Sequence, residues 1–310
     1  MQKSSKFGHG IWYVSIFVIL GLYGALLRAW ELVQHYNRVT SLFEVFETAP
    51  LVPFYVFACG LAALVCAWLF RGKAGEFMDV YGLKKKTSVW LRMLCGVGFI
   101  GAGTLKCVAW YFAAERALAA AAEKQTPVFM HLRIAQLVFG ILTILTGVAY
   151  MVLTRGRTKD KLDDYEQLCS NIPVYWACYL LILTFMEHPV EPVLRTFAYD
   201  LLAACALAVS IYKFTARCYG KLFRSVAVFT SLFGITLIEV SALGRVFAWL
   251  LTGNFVWVSE VAFRIVAFAL SGVMILLEII PLLNAPEYVE PPQEDVKPEG
   301  VEAENEIETD

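Results

Sequence analysis

Eight long stretches almost free of charge constrain this chain more than any other feature. They run over about residues 11–35, 50–70, 89–114, 127–153, 172–188, 194–213, 224–251 and 256–282. A helix needs about 20 apolar residues, with a range of about 17–25, to cross roughly 30 Å of hydrocarbon. Backbone in lipid must satisfy its own N–H and C=O groups, which leaves only helices and closed barrels. The period-two alternation of a barrel is absent from the eight stretches. Composition agrees, since 59% of the 310 residues are hydrophobic and only 17% are charged. A water-soluble domain carries more surface charge than that. The pattern predicts an all-α polytopic integral membrane protein with about eight transmembrane helices.

Lys3 and Lys6 precede the first stretch, as in a signal peptide. That stretch is too long for a signal-peptide core, and no small-x-small cleavage site follows it, so the expectation is a retained first helix.

Lys and Arg concentrate in loops on the cytoplasmic side. The N-terminal segment, the loops after stretches 2, 4 and 6, and the C-terminal tail together hold 16 of them. The intervening loops hold 4: Arg38, Arg116, Lys124 and Arg195. An even number of spans with both termini in the cytoplasm of a cell membrane satisfies every loop. Seven spans would put one terminus outside and spoil the pattern. The tail, residues 284–310, has Pro286, Pro291, Pro292 and Pro298, ten of the 27 acids, and Lys297 as its one cation. It is expected to be a disordered cytoplasmic tail, with docking on the basic loops as the alternative to simple solvation.

Two halves of the chain correspond. Leu105-Lys106-Cys107-Val108-Ala109-Trp110 matches Gly244-Arg245-Val246-Phe247-Ala248-Trp249, with a cation four residues before Trp in both. Leu132-Arg133-Ile134 matches Phe263-Arg264-Ile265, and Phe57-Ala58 matches Phe197-Ala198. Charges inside apolar stretches are rare, so the matched cations carry the comparison. They predict a 4+4 parallel repeat: residues 1–160 as the first four-helix unit, and 161–283 as the second. The two would be related by an axis along the membrane normal.

On the predicted orientation, the charges within the stretches gather in the outer half. They are Arg28, Glu31, Lys106, Arg133, Asp200, Glu239, Arg245, Glu260 and Arg264. His131, Glu187 and His188 lie at the same level, while the inner half has only Arg92 and Glu278. Each such charge costs roughly 2.5–3.5 kcal/mol at the bilayer centre on insertion scales, so it is kept only when paired, wetted or used. Two readings stay open. In one, the set lines an outward-facing polar cavity. In the other, arginines near the surface snorkel, while Arg28 with Glu31 and Glu260 with Arg264 neutralise each other at helical spacing.

The chain has no HExxH, GxSxG, P-loop or Rossmann glycine motif, and its histidines and eight cysteines show no ligand spacing. No catalytic residue, metal or cofactor is assigned, and an enzyme is the less favoured reading. Cys169 and Cys218 fall in predicted loops. Gly96-Val97-Gly98 and Gly101-Ala102-Gly103 are read as small residues that let another helix approach. The basic loops follow from orientation and do not indicate nucleic acid.

The leading expectation is a small-solute transporter or permease. Arg28, Lys106, Arg133, Arg245 and Arg264 would bind an anionic or zwitterionic solute. Glu31, Asp200, Glu239 and Glu260 would pair with those cations, with Asp200 and Glu239 the candidates for ion or proton coupling. The alternative is a structural or signalling protein whose charge pairs hold helices together or dock a partner membrane protein or a second copy. The least favoured is an intramembrane enzyme acting on lipid headgroups.

Overall fold

The computed structural model describes residues 10–35, 51–71, 86–124, 130–158, 162–186, 194–220, 223–252 and 259–284. Ten α-helices follow in chain order among the described residues. They are α1 (Gly10–His35), α2 (Leu51–Leu69), α3 (Lys86–Lys124), α4 (Met130–Gly156), α5 (Asp164–Cys169), α6 (Ile172–Met186), α7 (Leu194–Cys218), α8 (Arg224–Ile238), α9 (Gly244–Thr252) and α10 (Ser259–Asn284). A π-helical turn, Glu239–Leu243, joins α8 to α9. Among the described residues there is no strand, and eight helical spans are long and apolar enough to cross a membrane. The fifth span is α5 with α6, and the seventh is α8, the π turn and α9. The tail beyond residue 284, Lys3, Lys6, Glu187 and His188 lie outside the described residues.

Local chemistry explains the interruptions. Pro173 has no N–H to give the Cys169 carbonyl, so α5 stops there and α6 begins with proline in its first turn. The Asp163 N–H donates to the Glu166 carboxylate at 3.1 Å and anchors the start of α5. Cys169 and Cys218 therefore end helices and are buried, contrary to the loop placement expected from sequence. Pro281 lies inside α10 and deprives the Leu277 carbonyl of its partner four residues on.

The seventh span occupies the centre. It is 72% buried across its apolar window, against 28–56% for the other seven. α1, α2, α7 and α10 surround α8, while α1 runs along the π turn and α9. α3 lies along α4, and α10 closes against α3. Gly96 and Gly103 of α3 meet Gly147 and Gly140 of α4 backbone to backbone, so a Cβ at any of the four would collide. Gly98 faces Leu270 of α10, and Gly101 faces nothing within 4 Å. Only part of the two glycine motifs thus serves close approach.

Trp176 is fully buried, edge-on to Phe99 and stacked with Phe139, and its indole N–H donates to Thr143 Oγ1 at 2.9 Å. The exterior is apolar as well: Trp12, Phe54, Trp68, Trp90, Leu94 and Tyr175 are exposed. A water-soluble fold does not leave an apolar surface of that extent uncovered.

Candidate functional site

Asp200 is the organising acid of one end of the bundle. It lies on α7 and is almost fully buried. Its Oδ1 accepts the Ser241 hydroxyl from the π turn. Its Oδ2 takes two guanidiniums, Arg245 from α9 at 2.5 Å and Arg264 from α10 at 3.2 Å. One carboxylate thus ties the π turn, α9 and α10 to α7. Arg264 turns inward and is buried, so it does not snorkel. Its candidate neighbour Glu260, and Arg133 with His131 on α4, have side chains outside the described residues.

Arg28 and Glu31 pair at 2.6 Å across one turn of α1. Arg28 also lies 4.7 Å over the ring of Tyr199, the residue before Asp200. Gly244 makes this possible, because a Cβ there would meet the Arg28 stem at 2.9 Å. The Arg28–Glu31 pair therefore braces α1 against α7 and α9.

Lys106 of α3 is buried with its ammonium 5.1 Å over the Phe263 ring. With Gln136, Phe139, Leu183, Thr184 and Arg264 it lines a pocket between α3, α4, α6 and α10. The pocket measures about 10 Å³, and a water needs about 10–15 Å³ on that measure. It is closed to a solute in this conformation. Among the described residues its lining includes two cations and no carboxylate.

Glu239 stands apart from these groups. It begins the π turn near the middle of the seventh span, and its carboxylate presses on Gly21 of α1. Its Oε2 is buried with no hydrogen-bond partner among the described residues. π turns recur where a helix has a functional constraint, and here the turn begins on a carboxylate.

A second network sits at the opposite end. Arg264 and Glu278 share α10 and are 14 residues apart, or about 21 Å along the axis. Glu278 is buried and bonded to Arg92 of α3, to Arg157 just after α4 at 2.7 and 2.9 Å, and to the Tyr150 hydroxyl at 3.3 Å. Arg92 also donates to the Leu277 carbonyl that Pro281 frees. Arg224 donates to the last-turn carbonyls of Leu282 and Leu283 at 3.1 and 3.3 Å. Burial alone would lower the Arg157 pKa, but the Glu278 carboxylate outweighs it and holds the guanidinium above its ordinary value.

Sequence reasoning placed Glu278 and Arg92 at the same end but did not pair them, and it missed the other arginines of the network. Arg157, Arg217 and Arg224 look like loop cations, yet all three are buried. A lone acid at the cation-rich end was the available signal, because a buried carboxylate needs a counter-charge. No protein-family model matches this chain, and neither curated proteins nor solved structures yield a match.

Proposed function

We propose that this chain is a polytopic protein of the cell membrane, with both termini cytoplasmic, that moves a small anionic or zwitterionic solute. One observation carries the reading: Lys106 and Arg264 face a single pocket whose walls come from both halves of the chain and, among the described residues, include no carboxylate. Two converging cations with the amide of Gln136 offer charge and hydrogen bonds to a carboxylate, phosphate or sulfate. The eight apolar spans and the apolar exterior support membrane insertion. The loop cations support the orientation, and the Lys106/Arg245 and Arg133/Arg264 correspondences support the parallel repeat.

The geometry suggests how binding is felt. Arg264 holds Asp200 at 3.2 Å while Arg245 holds the same oxygen at 2.5 Å. A solute anion beside Lys106 competes for Arg264, the more distant partner, and loosens α10 from α7. Glu239, buried and without a hydrogen-bond partner for Oε2, is the candidate to bind a proton or cation in the same cycle. A structural or signalling role is the second reading. Its support is that Asp200 and Glu278 are each held by two guanidiniums, as helix-tying charges would be.

The test is uptake by proteoliposomes of a panel of small anions and amino acids, alongside thermal shifts of the purified protein with the same compounds. Transport predicts that Lys106→Gln removes uptake and the ligand shift while unliganded stability is retained. It also predicts that Glu239→Gln removes dependence on a pH gradient. Uptake indifferent to both substitutions sinks the transport reading.

A further inference from the structure

The π turn joins Glu239 to the network around Asp200. Glu239 opens the turn, and Ser241 lies two residues on within the same five residues. The Glu239 carboxylate rests on the α1 backbone at Gly21, where a Cβ would overlap Oε2. Val240 packs in the same way on Gly24, and Gly244 on the stem of Arg28. α1 is thus seated on the seventh span at three successive levels, with a glycine on one side of each. Oε2 is buried and has no hydrogen-bond partner among the described residues. The ionisable groups on the neighbouring helices are engaged elsewhere. Arg28 of α1 pairs with Glu31, Asp200 of α7 holds Arg245 of α9 and Arg264 of α10, and the Tyr55 hydroxyl of α2 donates to the Leu20 carbonyl.

A neutral acid fits against Gly21, because it needs no counter-charge. A carboxylate does not, since a charge buried without a partner must be balanced or expelled. Ionisation therefore pushes the turn off Gly21, and Ser241 moves with it. The Ser241 hydroxyl donates to Asp200 Oδ1, while Arg264 holds Oδ2 of the same carboxylate at 3.2 Å. A donor on Oδ1 satisfies part of the carboxylate's charge. Without it the guanidiniums alone balance that charge, and Arg264 is held more firmly. Arg264 also lines the Lys106 pocket, so a firmer hold leaves it less available to a solute anion.

We infer that a proton on Glu239 raises the affinity of the Lys106 pocket for an anion, with Ser241 as the positioning residue that carries the coupling through Asp200 to Arg264. The inference rests on the reading of that pocket as the solute site, whereas the movement of the seventh span off α1 does not. Coupling of this kind is reciprocal, so a bound anion also favours the protonated acid, and anion and proton are taken up together.

The test is sulfate binding by the full-length protein in nanodiscs, measured by calorimetry from acid to mildly alkaline pH, a range over which the charge of sulfate is constant. Wild-type affinity is expected to fall about tenfold as pH rises, a usual size for coupling between two sites. Glu239→Gln is expected to keep the high affinity at every pH. Ser241→Ala is expected to keep the low affinity at every pH, whereas a merely structural Ser241 lowers stability and leaves the pH profile as in the wild type. If Ser241→Ala does not fold, Glu239→Gln decides. A second arm needs no ligand. Spin labels at Trp30→Cys on α1 and Leu250→Cys on α9, both exposed positions, are placed in a chain whose exposed Cys178 and Cys205 are replaced. The label distance is expected to change as pH rises and to stay fixed when Glu239→Gln is added. Where sulfate binding does not depend on Lys106, the pocket reading fails, and the label distance alone decides the Glu239 switch. Lys106-dependent binding that ignores pH, a wild-type pH profile in Ser241→Ala, or a label distance indifferent to pH overturns the inference.

Discussion

Arg264 reaches from α10 to Oδ2 of Asp200 on α7, 3.2 Å away and 64 residues earlier in the chain. The same oxygen holds Arg245 at 2.5 Å. Removing a buried carboxylate that two guanidiniums share leaves both without their counter-charge. Asp200→Asn is expected to destabilise the fold by about 3–5 kcal/mol. Glu239→Gln is expected to leave stability unchanged or raised, because its buried Oε2 accepts no hydrogen bond among the described residues. Unfolding of the two variants in mixed micelles measures both. A loss at Glu239 equal to that at Asp200 would mean that Glu239 has a partner.

The contact of α3 with α4 predicts position-specific intolerance. A Cβ at Gly103 would lie 2.7 Å from the Gly140 carbonyl, and backbone cannot yield as a side-chain tip can. Gly103→Ala is expected to cost about 1–3 kcal/mol through overpacking. Gly101→Ala, two residues away and facing open space, is expected to cost nothing measurable. Thermal denaturation of the pair in one detergent makes the comparison.

The buried indole N–H of Trp176 donates to Thr143 Oγ1 at 2.9 Å. Thr143→Val keeps the shape and removes the oxygen. The buried donor left behind is expected to cost about 1–3 kcal/mol. Intrinsic fluorescence of the variant, read along its unfolding curve, gives the value and reports on the indole's surroundings.

Orientation has its own experiment. Thr158 is exposed at the Glu278 end, next to Arg157. With the chain in a cell membrane, Thr158→Cys is expected to react with an impermeant maleimide only from the cytoplasmic side. Cys178 and Cys205 are exposed on the apolar exterior and are expected to stay unlabelled by that reagent from either side, because lipid covers them. Labelling of Thr158→Cys from outside would reverse the orientation.

Much of the architecture is legible along the chain because length and hydropathy are local properties. The helix at Gly10–His35 and the eighth span ending at Asn284 fall within a few residues of their apolar stretches. The Arg28–Glu31 pair was also legible, since three residues of helix bring the two side chains together. Long-range partners were not. Nothing local says that Arg264 will choose Asp200, 64 residues away, because the choice depends on how α7, α9 and α10 are rotated about their axes. The π turn at Glu239–Leu243 contributes to that rotation by adding a residue to one helical turn, which hydropathy does not register.

Lys106 and Glu239 mark the same boundary. Their presence in apolar stretches follows from the sequence, and the cost of burying them makes them candidates without any structure. Only tertiary structure sets Lys106 over Phe263 beside Arg264, and Glu239 against Gly21. The Glu278 network shows the limit from the other side. Arg157, Arg217 and Arg224 adjoin helix ends and resemble orientation signals, yet the fold buries them. Sequence determined the eight apolar helices, because each one's hydrogen bonds and hydropathy are met within itself. The identity of each charge's partner was decided by the tertiary structure, because a buried charge is balanced by whichever helices the fold brings beside it.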